Sequence, residues 1–264
     1  MNAEAFFADG WTRFPHDPDI ADWARRARPV ADACIADPEL RARWLRCGGT
    51  WFVGANALPN DAAGAVAAAG VPPLAGEPVR FIREVLELDV AWDRAQVSAC
   101  FPGYPQPSPA ESATAFRFRL ERDAAHVDGL ARYDGRRRRL GDLHGFILGL
   151  PLTDAPASAA PFVIWEGSHH IIRRALRERL ADVPPEEWFG QDLTEAYVAA
   201  RRECFETCRR VRVHARPGEA YLTHRLTLHG IAPWMADAAG ERIVAYFRPN
   251  PFPGAAPDWW LERP

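Results

Sequence analysis

The sequence predicts a mainly β fold, a double-sheet jelly roll or sandwich with helices added at its N-terminal end and in an insertion. Three observations predict it. Short apolar or alternating runs follow one another from residue 115 onward, Pro/Gly turns separate them, and helix-period segments fill part of the N-terminal third. The 264 residues, 48% of them hydrophobic, are enough for one large domain with a sizeable core. The expected organisation is a single domain over 1–264, with a helical part at 1–95, a jelly-roll core at about 96–250 and a tail at 251–264.

In chain order, "PDIADWARRARPVADACIADPELRARWLR" (18–46) reads as two helices, because Pro18 and Pro38 sit where helices start and apolar positions recur at helical spacing. "TWFVGANALPND" (50–61) has the Gly/Asn texture of a loop with a role. "FPGYPQPSPAES" (101–112) reads as a proline-rich loop, mobile or draped over the surface. "AFRFRLERDAAHV" alternates apolar and charged residues, the pattern of a half-buried strand. "GRRRRLGD" (135–142) reads as a solvated loop, "HGFILGLPL" (144–152) and "APFVIWE" (160–166) as buried strands. A helix should begin near Gln191, Asp192 or Thr194. The strands "RRVRVHA", "AYLTHRLTLHG" and "ERIVAYFRP" complete the core, with a turn at "RPGE".

Composition removes several function classes. The balance of 32 basic and 35 acidic residues, net −3, gives no electrostatic case for nucleic acid. The first residues lack a basic region followed by an apolar run, and no stretch reaches membrane-spanning length without charges, so a cytoplasmic location without a membrane partner is expected. Every basic residue is Arg, which excludes Schiff-base and phosphate-loop lysines. Five cysteines without a C-x-x-C pair read as free thiols; Cys204 and Cys208 would share a helix face.

"HVDG" places His126 and Asp128 two apart, so on a strand both leave one face and can chelate one ion. With eight histidines, about half an H-x-D match per chain of this length and composition arises by chance, so the pair alone proves nothing. Its context is more specific. His126/Asp128, Leu152–Asp154, Gly167–His169, Pro217–Glu219, His229–Gly230 and Arg242 follow one another in order. In this the sequence resembles the phytanoyl-CoA dioxygenase-like family of Fe(II)/2-oxoglutarate oxygenases, over roughly residues 115–250.

The resemblance implies a cupin-like double-stranded β-helix that uses Fe(II), 2-oxoglutarate and O2 to hydroxylate a C–H bond of a small molecule. It implies His126, Asp128 and His229 as catalytic metal ligands. It also implies an Arg for the distal carboxylate of 2-oxoglutarate, a group that suits a fixed bidentate cation. Order favours Arg242, and Arg248, on the same strand face, is its competitor. Arg119 is expected to assist at the co-substrate, and Arg117, Trp165 and Trp234 at the substrate, with Trp51 as a further wall. Many arginines give a mild preference for an anionic substrate. His144, His169, His170 and His214 are expected to be structural. On one extended strand His224 and His229 would face opposite ways, which leaves His224 behind the site. The rival from another class is a cupin-like metal-binding isomerase or binding protein that does not use 2-oxoglutarate.

Overall fold

The computed structural model describes residues 3–108, 111–235, 237 and 240–263. Pro109 and Ala110 of the proline-rich loop, and Ala236, Ala238 and Ala239 of the hairpin before Arg242, lie outside the described residues. The helices are α1 (Ala3–Asp9), α2 (Pro18–Ala36), α3 (Pro38–Trp44), α4 (Glu77–Glu84), α5 (Ala113–Arg122), α6 (Ser168–Leu180), α7 (Thr194–Thr207) and α8 (Trp259–Glu262). The strands are β1 (Trp11–Phe14), β2 (Leu45–Arg46), β3 (Trp51–Phe52), β4 (Gln96–Cys100), β5 (Leu130–Tyr133) and β6 (Arg137–Leu140). They continue with β7 (Phe146–Pro151), β8 (Phe162–Trp165), β9 (Arg210–Val213), β10 (Ala220–His224), β11 (His229–Ile231) and β12 (Arg242–Phe247).

Seven strands form one antiparallel sheet in the order β1-β10-β7-β12-β4-β3-β2, and β11-β8-β9 form a second. Strand alternation assigns each residue to one of two apolar layers. Ile243, Ala245 and Phe247 of β12 and Leu148 and Leu150 of β7 face the helices, where they pack with Trp23, Ala24 and Ala27 of α2. Val244 and Tyr246, with Ile147 and Tyr221, face the small sheet and meet Phe162, Ile164 and Val213. Gly149 is required there, because a Cβ on it would lie 2.4 Å from the Tyr221 ring.

Both helices of 18–46 start at their prolines, each capped by an aspartate: Asp17 accepts the Asp19 N–H (2.8 Å), and Asp37 the Leu40 N–H (2.9 Å). Three expectations are corrected. The N-terminal part is not purely helical, since β1, β2 and β3 extend both edges of the large sheet. "GRRRRLGD" forms β6 of a two-stranded hairpin with β5. The segment 115–127 reads as an alternating strand, but its first eight residues belong to the helix α5. Ser112 caps it by accepting the Ala115 N–H (3.2 Å), and Asp123 ends it in the left-handed region (φ 53°). None of its residues is buried, so the alternation of Phe and Arg had no sheet face to serve.

Candidate active site

The two histidines of the candidate site meet through their backbones. After α5 the chain takes two left-handed residues, Asp123 and Ala124 (φ 53° each), and turns back toward β11. There the His126 N–H donates to the His229 carbonyl (2.8 Å) and the His229 N–H to the His126 carbonyl (3.0 Å), an isolated antiparallel bridge. Gly230 permits this approach: a Cβ on it would lie 2.2 Å from the Asp123 carbonyl oxygen. The glycine of "HG" is thus a steric requirement of the site. Ser168 of the "GSH" segment braces the same turn, its Oγ accepting the Leu228 N–H (2.9 Å) beside His229.

Each imidazole is oriented through Nδ1. His126 Nδ1–H donates to the Ala124 carbonyl (3.0 Å) and His229 Nδ1–H to the Thr227 carbonyl (2.9 Å). That fixes the tautomer and leaves each Nε2 lone pair free. These Nε2 atoms lie 3.2 Å (His126) and 3.6 Å (His229) from the two Asp128 oxygens. One ligand atom from each of the three residues lies within 4.8 Å of the others. His229 is buried and its Nε2 has no hydrogen-bond partner. An orphaned buried polar atom costs about 1–3 kcal/mol, so its retention calls for an explanation. A divalent cation among two imidazoles and a carboxylate supplies one, and the donor set fits it.

Asp128 is held from the other side by Arg248, whose Nε donates to Oδ2 (2.7 Å) and whose Nη1 donates to Gln96 Oε1 (2.5 Å). Burial would raise the Asp128 carboxyl, but Arg248 and His229 outweigh it and hold it well below the usual range. Burial pushes His229 down, only partly offset by Asp128, so its ring is neutral and able to ligate.

Arg242 lies on the same strand face, opposite Cys100 of β4, but in a different environment. It is buried, its Nη2 donates to the Tyr246 hydroxyl (2.9 Å), and its Nη1 has no partner. Tyr221 donates to the same Tyr246 oxygen (2.8 Å). Tyr246, Ser98 and Gln96 in turn line a cavity of about 1010 Å³ that also contains His126, Asp128 and His229.

Some expected residues line this cavity and others do not. Trp51, Val53, Ala55 and Asn56 line it, which gives the loop texture of 50–61 its place. Arg119 lines it from α5, with Nε and Nη2 donating to Glu111 (3.2 and 2.9 Å). Tyr104, in the loop expected at the surface, is buried and lines it too. Arg117 is exposed on α5 and outside the lining, because a helix separates residues that a strand would have aligned. Trp165 and Trp234 are buried in apolar clusters behind the cavity wall. Sequence reading missed Phe189, Asp142 and, from the tail, Trp259, none of which has a local signal.

His224 is not on one strand with His229. It ends β10 in the large sheet, Arg225–Leu228 turn, and His229 opens β11 in the small one. His224 Nδ1 accepts the Leu226 N–H (3.0 Å), and Arg173 Nη2 lies 3.0 Å from its Nε2. His169 (Nε2 3.0 Å from the Phe7 carbonyl) and His214 (Nε2 3.0 Å from the Ala155 carbonyl) hold backbone.

No protein-family model matches the chain, and no curated protein matches it. Solved structures do. A non-heme α-ketoglutarate-dependent carbocyclase, SnoK from nogalamycin biosynthesis, is similar at TM-score 0.54 and 14% identity, over 94% of this chain and 83% of that one. AviO1 from Streptomyces viridochromogenes Tue57 is similar at TM-score 0.49 and 16% identity, over 96% and 94%. EctD from S. alaskensis with bound Fe is similar at TM-score 0.47 and 18% identity, over 98% and 82%. At such identities the likeness is one of fold. The chain has the cupin-like double-stranded β-helix with flanking helices. Among the described residues, no helix is long and apolar enough to cross a membrane.

Proposed function

We propose that this chain is an Fe(II)- and 2-oxoglutarate-dependent oxygenase of the phytanoyl-CoA dioxygenase-like type, working as one domain and hydroxylating a C–H bond of a small molecule with release of succinate and CO2. The observation that carries the reading is the buried, partnerless Nε2 of His229 facing Asp128 and His126. Iron bound by His126, Asp128 and His229 would supply O2-activating redox chemistry, with positions left open for 2-oxoglutarate and oxygen.

The chain's own residues do the rest. The Ala124 and Thr227 carbonyls take the Nδ1–H of each imidazole and turn each Nε2 toward Asp128. Arg248 occupies one oxygen of Asp128, so the other is offered singly and the open positions stay open. Arg242 does not itself line the cavity, but its Nη2 binds the hydroxyl of Tyr246, which does, and its unpartnered Nη1 leaves a buried cation to answer a carboxylate at that hydroxyl. Arg248, committed to Asp128, is the weaker candidate for that task. Arg119 borders the same cavity as an assisting residue. Five thiols without a disulfide suit a reducing, cytoplasmic compartment.

Anaerobic titration of the Fe(II) protein with 2-oxoglutarate should give the weak visible charge-transfer band of the chelate. No band at demonstrated iron occupancy would leave the cupin-like metal-binding alternative. Arg242→Met should abolish the band with iron binding retained. It should leave thermal stability unchanged or raised, because it removes a buried charge with an unmet donor.

A further inference from the structure

The cavity's charges divide into those already paired and those left over. Arg119 is bound to Glu111, Arg248 to Asp128, and Asp123 to Arg210 through two hydrogen bonds (2.7 and 2.8 Å). Two lining carboxylates, Asp93 and Asp142, have no ion pair among the described residues. The Asp93 side chain accepts the backbone N–H of Arg248 (2.8 Å), and burial raises its carboxyl to about 6 against the pull of Arg248. The two belong to one wall: Gly145 N–H, three residues after Asp142, donates to the Pro249 carbonyl (2.9 Å), one residue after the Arg248 that Asp93 holds.

Between them His144 lines the same cavity. It is buried, its Nε2 lacks a partner, and burial lowers it to about 4, so it is a neutral ring with hydrogen-bonding capacity unused. Phe189, Trp259 and Trp51 line the same cavity. Phe189 is 44% exposed, an aromatic ring left to solvent at a cavity that large. A volume of about 1010 Å³ is at the upper end for small-molecule sites, far beyond what a compact amino acid fills.

We propose that the substrate is an amine-bearing molecule with an aromatic-sized apolar body, its cationic nitrogen facing Asp142 and Asp93 beside His144 and its body lying against Phe189 and Trp259. This reverses the anionic preference read from the arginine count, because the arginines of the cavity wall are spent on carboxylates of the chain itself. It rests on the oxygenase reading of the same site and deepens it.

Three indoles with one body and different heads test it: tryptamine, tryptophol and indole-3-acetate. Their binding to the anaerobic Fe(II)/2-oxoglutarate protein is read by calorimetry. Tryptamine is expected to bind roughly tenfold or more tighter than indole-3-acetate, with tryptophol between, a difference of about 1.4 kcal/mol. Asp142→Asn and Asp93→Asn should each shrink that difference and keep the chelate band. Equal or reversed order, an order unchanged in both variants, or no saturable binding by any of the three overturns the proposal. A band without the amine preference removes this subsite alone; an amine preference without a band removes the oxygenase reading and leaves the subsite.

Discussion

Two groups of histidines, His126 with His229 and His169 with His224, are built from the same side chain and put to different uses. In the first, a backbone carbonyl takes Nδ1–H and Nε2 is left facing a carboxylate. In the second, both nitrogens of His224 are engaged, with Arg173 rather than an acid at Nε2. Burial, and after it the positive charges of Arg225 and Arg173, hold His224 well below its usual value. The difference teaches that burial alone does not mark a ligand. A candidate ligand is an imidazole whose second nitrogen is oriented, free of other hydrogen bonds and opposite a carboxylate.

The largest expected effect breaks the comparison at its sharpest point. His229→Ala should lose Fe(II) binding altogether in calorimetric titration, whereas His224→Ala should bind iron with nearly unchanged affinity and lose thermal stability instead. Equal losses of iron in both variants would erase the distinction. Arg248→Met should weaken iron binding by about 10–100-fold, as removal of a partner behind a ligand commonly does. Arg248→Lys, which keeps one donor for Asp128, should recover part of it. Unchanged affinity in Arg248→Met would mean that Asp128 needs no support.

The smallest effect is a pH dependence of the metal-free protein. His144 and His169, lowered by burial to about 4, and His224, which burial also holds well below its usual value, are neutral when folded but protonate near 6.5 when unfolded. The unfolded state therefore binds more protons below pH 6.5, and stability falls from there to about pH 4. The limit is about 1.4 kcal/mol per pH unit for each such histidine. Asp93, raised to about 6, works in the opposite direction between about 6 and 3.8 and offsets part of one. Chemical denaturation at pH 7 and pH 5 measures the sum; His224→Gln should flatten the slope, and an unchanged slope would place the titration elsewhere.

The site was more legible than its surroundings. "HVDG" and "HG" carry their chemistry in adjacent residues, and the glycine that lets β11 approach Asp123 is written beside the histidine it serves. Parity puts Arg242 and Arg248 on one strand face and cannot separate them; in the structure β12 ends at Phe247, one residue before Arg248. Only their partners separate them, Tyr246 for one and Asp128 with Gln96 for the other. The strand expected over 115–127 shows the opposite failure. Alternation of Phe and Arg is compatible with two secondary structures, and the Ser112 cap with the left-handed Asp123 stop decided for helix.

By itself the sequence determined the elements whose signals are local: helix starts at Pro18 and Pro38, apolar strands at 144–152 and 160–166, the turn glycines, and the residue types of a three-ligand centre. The tertiary structure alone decided that His224 and His229 belong to different sheets and that Arg117, Trp165 and Trp234 stand outside the cavity. It also brought Trp51, Asp93, Asp142, Phe189 and Trp259 around the centre from distant parts of the chain. The reason is physical. A cap or an alternating face is read within a few residues, whereas a cavity wall and a satisfied or orphaned nitrogen are set by which surfaces pack together, often more than a hundred residues apart.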